Sequence, residues 1–189
     1  MRFGKTRLFF IENQNSLDLI RRGNITNYYK VPRFNKVSIH VNFSNALKDL
    51  KSLGVLYNII FLLSGTKPSL IKARKSIAQF KVRKGSFIGC KALISNMYKF
   101  SFIDYIFLVA LNNHYDYSLV GLNLNQKSNI LSIGFDQFED FKYLDPIALY
   151  LRKFSGFDIQ CSLTKSKPEI SKLYFSRLGI HPLNFIYKD

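Results

Sequence analysis

The sequence predicts an α+β domain: a mostly antiparallel sheet with helices packed on one face and a polar, partly basic face left open. Three observations predict it. Val37, Ile39 and Val41 alternate with Ser38, His40 and Asn42, and Phe157, Ile159, Cys161 and Leu163 alternate with Asp158, Gln160 and Ser162, which is the period of half-buried strands. Two longer stretches, 45–64 and 96–112, carry apolar residues at helical spacing or around most of the circumference, as core-packed helices do. Strands and helices are mixed along the chain in an order that suits this class.

Each element has its own signal. The first 22 residues place Arg2, Lys5, Arg7, Arg21 and Arg22 around Leu8, Phe9, Phe10, Ile11, Leu17, Leu19 and Ile20; despite a likeness to a transit peptide, Glu12 and Asp18 favour a helix of the mature protein. A strand covers 37–42. The helix over 45–64 has Ser44 or Asn45 as N-cap and Leu47, Leu50, Ile60 and Leu63 facing the core. It ends at Gly65, and Pro68 prevents its continuation. Residues 69–73 and 77–82 are expected as short extended pieces. They are followed by a strand over 86–94 with Ile88, Cys90, Ala92 and Ile94 on one face, Lys91 on the other, and a turn at Lys84-Gly85. A helix with a lone Asp104 fills 96–112. Residues 117–124 and 128–135 form a strand pair, an acidic segment leads into a short helix after Asp145-Pro146, and 157–163 is the cleanest strand. The last helix begins near Ser166-Lys167-Pro168, presents Ile170, Leu173, Tyr174 and Leu178, and ends at Gly179 ahead of Pro182.

Composition narrows the partners. The 189 residues carry 28 Lys and Arg against 12 Asp and Glu, a formal net charge of +16, yet 47% are hydrophobic and 15% aromatic. The chain can therefore bury a core and is not a disordered basic tail. Its longest apolar runs, 53–63 and 102–111, fall short of the roughly 20 residues a bilayer span needs. Cys90 and Cys161 stand alone, without the spacing of a disulfide framework or a zinc knuckle. Phe and Tyr number 18 and 11, Trp is absent and Lys outnumbers Arg, a usage typical of AT-rich coding that points to an organellar or AT-rich nuclear genome. The charge is also segregated. No carboxylate lies in the 54 residues between Asp49 and Asp104, which hold Lys51, Lys67, Lys72, Arg74, Lys75, Lys81, Arg83, Lys84, Lys91 and Lys99, whereas Asp136, Glu139, Asp140 and Asp145 cluster later in the chain. Such a layout suits a polyanion better than a merely solvated face. It suits a membrane surface less well, because the cations do not lie along one amphipathic helix.

Catalytic chemistry finds little support. His40, His114 and His181 are far apart and lack neighbours at metal-ligand spacing, so neither a metal nor a cofactor is expected. The run from Gly85 to Lys91 has the wrong glycine spacing for a phosphate loop. Asp136, Glu139 and Asp140 belong to a solvated acidic segment, and Cys90, on the apolar face of a strand, is a structural thiol. Binding chemistry remains. Lys and Arg neutralise phosphates, while Ser38, His40, Asn42, Thr66 and Gln160 can hydrogen-bond ribose or base edges from an open sheet, which suits RNA.

The residues that carry most information are Ser64-Gly65-Thr66-Lys67-Pro68, Lys72-Ala73-Arg74-Lys75-Ser76-Ile77-Ala78, Phe80-Lys81-Val82-Arg83-Lys84-Gly85 and Ile88-Gly89-Cys90-Lys91. They are preceded by Val31-Pro32-Arg33 with Lys36-Val37, and followed by Tyr117-Ser118 and the stretch from Gly156-Phe157-Asp158-Ile159 through Thr164 to Gly179. This pattern resembles large-subunit ribosomal protein five, the 5S-rRNA-binding family of the central protuberance, over about four fifths of the chain. The resemblance implies a non-enzymatic ribosomal component, with residues 1–30 an N-terminal helical extension and 31–189 a single domain. It implies rRNA contacts, to 5S and large-subunit rRNA, from Arg33, Lys36, Ser38, His40, Asn42, Thr66, Lys67, Lys72 and Lys91. It also implies that the loop 74–86 reaches the elbow of peptidyl-site tRNA through Arg74, Lys75, Ser76, Lys81, Arg83 and Lys84, and that neighbouring ribosomal proteins, those of the small-subunit head included, are partners. Sheet positions that the family often fills with Asn, Gln and Thr are His40, Thr66 and Leu93 here. A family loop is reduced to 112–116, which together with the codon bias points to a mitochondrial ribosome. The alternative is a free RNA-binding or RNA-processing factor.

Overall fold

A computed structural model of the chain describes residues 7–23, 25–42, 50–79, 81–95, 97–110, 121–125, 129–138, 141, 144, 154, 156–164 and 166–178. The elements are α1 (Arg7–Arg22), a 3-10 turn (Tyr28–Lys30), β1 (Phe34–Asn42), α2 (Leu50–Ser64), β2 (Ser69–Lys72), β3 (Phe87–Ile94), α3 (Tyr98–Tyr105) continued by a π-helical turn (Ile106–Ala110), β4 (Gly121–Asn125), β5 (Ile130–Phe135), β6 (Phe157–Leu163) and α4 (Pro168–Arg177). The strands form one mostly antiparallel sheet in the order β2-β3-β1-β6-β5-β4, so the predicted α+β class holds. The short helix expected after Asp145-Pro146, and residues 45–49, 111–120 and 179–182 of other expected elements, lie outside the described residues. The chain clusters into two compact units, one built from 1–37, 95–133 and 160–189, the other from 38–94 and 134–159.

In the second unit, Ile39 and Val41 of β1 are fully buried, as their period predicts. α2 packs on β3 through an apolar face in which Leu53, Leu56, Ile59, Ile60 and Leu63 are buried. The helix stops at Gly65, whose φ of +65° is the left-handed conformation that terminates helices and that a Cβ disfavours. Ser64 closes the end by donating its Oγ–H to Ile60 O at 2.7 Å. β2 and β3 pair antiparallel, Ser69 opposite Lys91 and Lys72 opposite Phe87, with a register shift between Ile71 and Lys72. Gly89 lies where β3 comes closest to β1: a Cβ there would sit 2.2 Å from the Val41 carbonyl oxygen. Farther along the chain, Phe135, Phe138 and Phe141 surround Phe157, with ring centroids 5.3, 4.4 and 5.5 Å from it.

In the first unit, α1 packs against α3 and α4. Its amides need acceptors at the N-terminal end, and the lone Asp104 of α3 supplies one, accepting from Leu8 N at 3.2 Å. Glu12 is 9% exposed and accepts from Phe34 N and from the Tyr174 hydroxyl, each at 2.9 Å. This single carboxylate joins α1, the start of β1 and α4. Tyr174 and Phe175 meet Phe34 edge-on at 5.4 and 6.3 Å. The last helix differs in one position from expectation: Leu173 is 37% exposed, and Ser171 and Phe175 face the interior instead. The helix phase that buries Ile170 and Tyr174 turns Leu173 outward. Ser171 is satisfied there by donating to Asn129 Oδ1 at 3.0 Å.

Candidate nucleic-acid interface

The carboxylate-free stretch builds a finger between β2 and β3. At its base Ala73 is buried. Ala73 N donates to Ser86 O at 2.8 Å, and Gly85 N donates to Ala73 O at 2.9 Å. Farther out, Ile77 and Val82 form an antiparallel bridge, each N–H donating to the other's carbonyl at 2.9 and 3.1 Å. Residues 77–82 are therefore a tight turn closed on itself, where an extended piece was expected. The reversal puts Lys81 at a φ of +54°. Ser76 Oγ accepts from Lys84 N at 2.9 Å, and Ser86 Oγ donates to Arg83 O at 2.6 Å. The finger is thus a hydrogen-bonded shape, and Arg74, Lys75, Ser76, Lys81, Arg83 and Lys84 all lie exposed on it.

Beside the finger, Lys72 is exposed, with its ammonium 5.3 Å from the centre of the Phe87 ring. Lys67 is exposed and Thr66 half-buried. Thr66 N and Oγ1 both donate to Ser64 Oγ, at 3.2 and 3.3 Å, so its hydroxyl is oriented by the end of α2. Lys91 is half-buried on β3, and its carbonyl accepts from Ser69 Oγ at 3.2 Å.

The polar positions of β1 are unequal. Asn42 and Lys36 are exposed and His40 is half-buried, but Ser38 is 8% exposed, where the alternation alone would turn it outward. Ser38 Oγ and His40 Nε2 are 3.1 Å apart. Burial pushes the His40 pKa below its usual value; the nearby Lys91 charge pushes the same way and Asp158 opposes both. The imidazole is therefore neutral at neutral pH and acts as a hydrogen-bonding group. Arg33, in the first unit, is half-buried. Its N–H donates to Thr164 Oγ1 at 3.0 Å, its guanidinium lies 4.9 Å from the Tyr28 ring centre, and Nη2 donates to the Tyr28 hydroxyl.

One assignment changes with the structure, and one is kept. Lys99, counted among the unopposed cations, donates its ammonium to the carbonyls of Phe34 and Asn35 and thereby holds the start of β1. Cys90 and Cys161 are buried, and burial pushes their thiols up to about 11 and about 12, which makes them structural residues. Among the described residues no group of His, Cys, Asp and Glu could hold a metal ion, and no helix is long and apolar enough to cross a membrane. Sequence reasoning passed over Tyr28, Tyr29 and Lys30; their signal was a pair of aromatics between Asn27 and Pro32, in a turn and not in a core-forming period.

An exposed basic finger on an α+β sheet is an arrangement suited to a polyanion, and comparison with known proteins gives the class of the chain. The family model described as ribosomal protein L5 matches residues 27–83. Proteins named large ribosomal subunit protein uL5 are similar along most of the chain. That of Caldanaerobacter subterraneus is 30% identical over 162 residues, 86% of this chain and 89% of the relative. The relative in Anaplasma marginale is 28% identical over 155 residues, 82% and 86% of the two chains, and the one in Ureaplasma parvum is 26% identical over 170 residues, 89% and 90%. The chain belongs to the uL5 family of large-ribosomal-subunit proteins. It is a structural, non-enzymatic constituent of the ribosome, with rRNA and ribosomal proteins as its partners.

Proposed function

We propose that this uL5 protein sits in the central protuberance of a mitochondrial large subunit, binds 5S rRNA together with large-subunit rRNA, and extends its finger to the elbow of peptidyl-site tRNA near the small-subunit head. The observation that carries the tRNA contact is the finger itself: five cations and Ser76 exposed on a loop whose backbone closes on its own hydrogen bonds. Such a loop contacts the phosphates of any tRNA without reading sequence, and its preformed shape reduces the ordering cost of each contact. The proposed rRNA contacts are Arg33 and Lys36 in the first unit and His40, Asn42, Thr66, Lys67, Lys72 and Lys91 in the second, where buried Ser38 holds His40 instead of meeting RNA itself. Exposed Lys36, Lys67 and Lys72 supply charge, and His40 and Asn42 supply hydrogen bonds. The AT-biased composition and the short 112–116 segment support the mitochondrial location.

The test is the double substitution Arg83→Glu with Lys84→Glu. Large subunits should still assemble and carry the protein through a salt wash, while retention of peptidyl-site tRNA falls. Failed assembly with normal tRNA handling in the surviving ribosomes would show that the finger serves rRNA instead. A protein that leaves large subunits in the wash, or joins only their precursors, would be an assembly factor.

A further inference from the structure

The turn at Tyr28–Lys30 has features that phosphate contact alone does not explain. Tyr29 leaves 92% of its surface in solvent although its backbone is fixed. Asn27 Oδ1 accepts from Tyr29 N at 2.9 Å, Lys30 N donates to Asn27 O at 3.0 Å, and Val31 N donates to Tyr28 O at 3.2 Å. Buried Ile25 on one side and buried Val31 and Pro32 on the other anchor the turn. Tyr28 is held by the Arg33 guanidinium and meets Tyr29 edge-on, with centroids 6.2 Å apart and planes at 76°. Tyr28 thereby props Tyr29 upright, and the outermost ring is held at an orientation with its surface uncovered.

Lys30, the next residue, lines a cleft of about 370 Å³ with Thr26, Ser166 and Lys167 over Ile25 and Ile170. Two ammonium groups and the Thr26 hydroxyl there suit one anionic group, while the Ser166 hydroxyl donates to Ser171 Oγ at 2.6 Å. The exposed Glu169 is not part of the lining, and no carboxylate occurs in sequence between Asp18 and Asp49. We propose that the turn and cleft seat one unpaired RNA nucleotide, its base stacked on the Tyr29 ring and a flanking phosphate held by Lys30 and Lys167 with Thr26. The inference rests on the RNA-binding reading above and adds a site that reads exposed bases. Every base offers a π-face, so the contact tolerates any sequence but requires a splayed-out nucleotide. The surrounding positive charge favours RNA over a protein surface as the occupant.

The 189-residue protein, its Tyr29→Ala variant and its Tyr29→Phe variant are titrated with an oligouridine strand and with an RNA duplex of equal phosphate number. Tyr29→Ala should weaken oligouridine binding by roughly five- to 150-fold, the range of one lost base–aromatic stack, and leave duplex binding unchanged. Tyr29→Phe should behave as the unaltered protein, because the ring and not the hydroxyl stacks. The ring is exposed, so all three should melt alike. Equal oligouridine affinity for all three proteins overturns the site, as does a parallel loss on both RNAs; duplex binding that persists leaves the finger's role standing. Absence of binding to either RNA by the unaltered protein overturns both readings. Intact RNA affinity with a lost ribosomal-protein contact reassigns Tyr29 to a protein interface and also overturns the proposal.

Discussion

Whether a cation of this chain faces a polyanion depends on its nearest neighbours. Lys99 is engaged by two carbonyls and Arg33 by Tyr28, whereas the finger's cations are exposed. His40 shows the same dependence through pH. Its pKa is lowered in the fold by burial and by Lys91, so the folded state binds its proton less readily than the unfolded chain. The associated stability is complete above the unfolded value of about 6.5 and is lost as pH falls through the lower folded value. Melting temperature should therefore drop between neutral and mildly acid pH, and His40→Gln should flatten that drop; an unaltered slope would remove His40 as the cause. Tyr174→Phe takes one donor from buried Glu12, leaving Phe34 N as its remaining hydrogen-bond donor among the described residues. The expected loss is about 1–3 kcal/mol, measured by urea unfolding.

At the level of elements, the finger depends on one backbone conformation. A lysine in the left-handed region costs about 1–2 kcal/mol that a glycine there does not, partly offset by the glycine's greater chain entropy. Lys81→Gly should thus raise stability by up to about 1 kcal/mol while weakening RNA binding, since a cation is removed from the tip. A substitution that lowers stability would contradict the strain at Lys81. The β1–β3 approach has no such slack. Gly89→Ala would drive a Cβ into the Val41 carbonyl, a backbone group that cannot rotate away, and should cost about 1–3 kcal/mol or more, visible as a lower urea midpoint. These elements were legible to different degrees. β1, β3 and β6 followed from alternation because each buries one face. The turn at residues 77–82 was not legible, because Ile77, Phe80 and Val82 have strand-like composition and the reversal depends on a bridge between its ends. The reach of α1 was equally hidden: Glu12 finds Tyr174 at a distance of 162 positions, and no local pattern announces that pairing.

Across the whole molecule, a net charge of +16 means that the free protein repels itself and that RNA relieves the repulsion. Salt should therefore act in opposite directions. It should raise the melting temperature of the free protein by screening, and it should weaken the RNA complex, about twentyfold for each doubling of salt if five phosphates are neutralised. Parallel calorimetry and RNA titration over a salt series check both, and salt-indifferent binding would count against a phosphate-dominated interface. The sequence by itself determined the α+β class, the principal strands and helices, the family and the polyanionic nature of the partner, since these follow from periodicity, motif spacing and the removal of carboxylates, all of which are local or compositional. Tertiary structure decided the functions of individual groups: Lys99 became a strand clamp, Ser38 was buried, Asp104 came to cap α1, and Tyr29 was left standing in solvent. Burial and hydrogen-bond partnership are settled by residues as far as 162 positions away, and it is burial and partnership that determine whether a side chain supports the fold or is available to RNA.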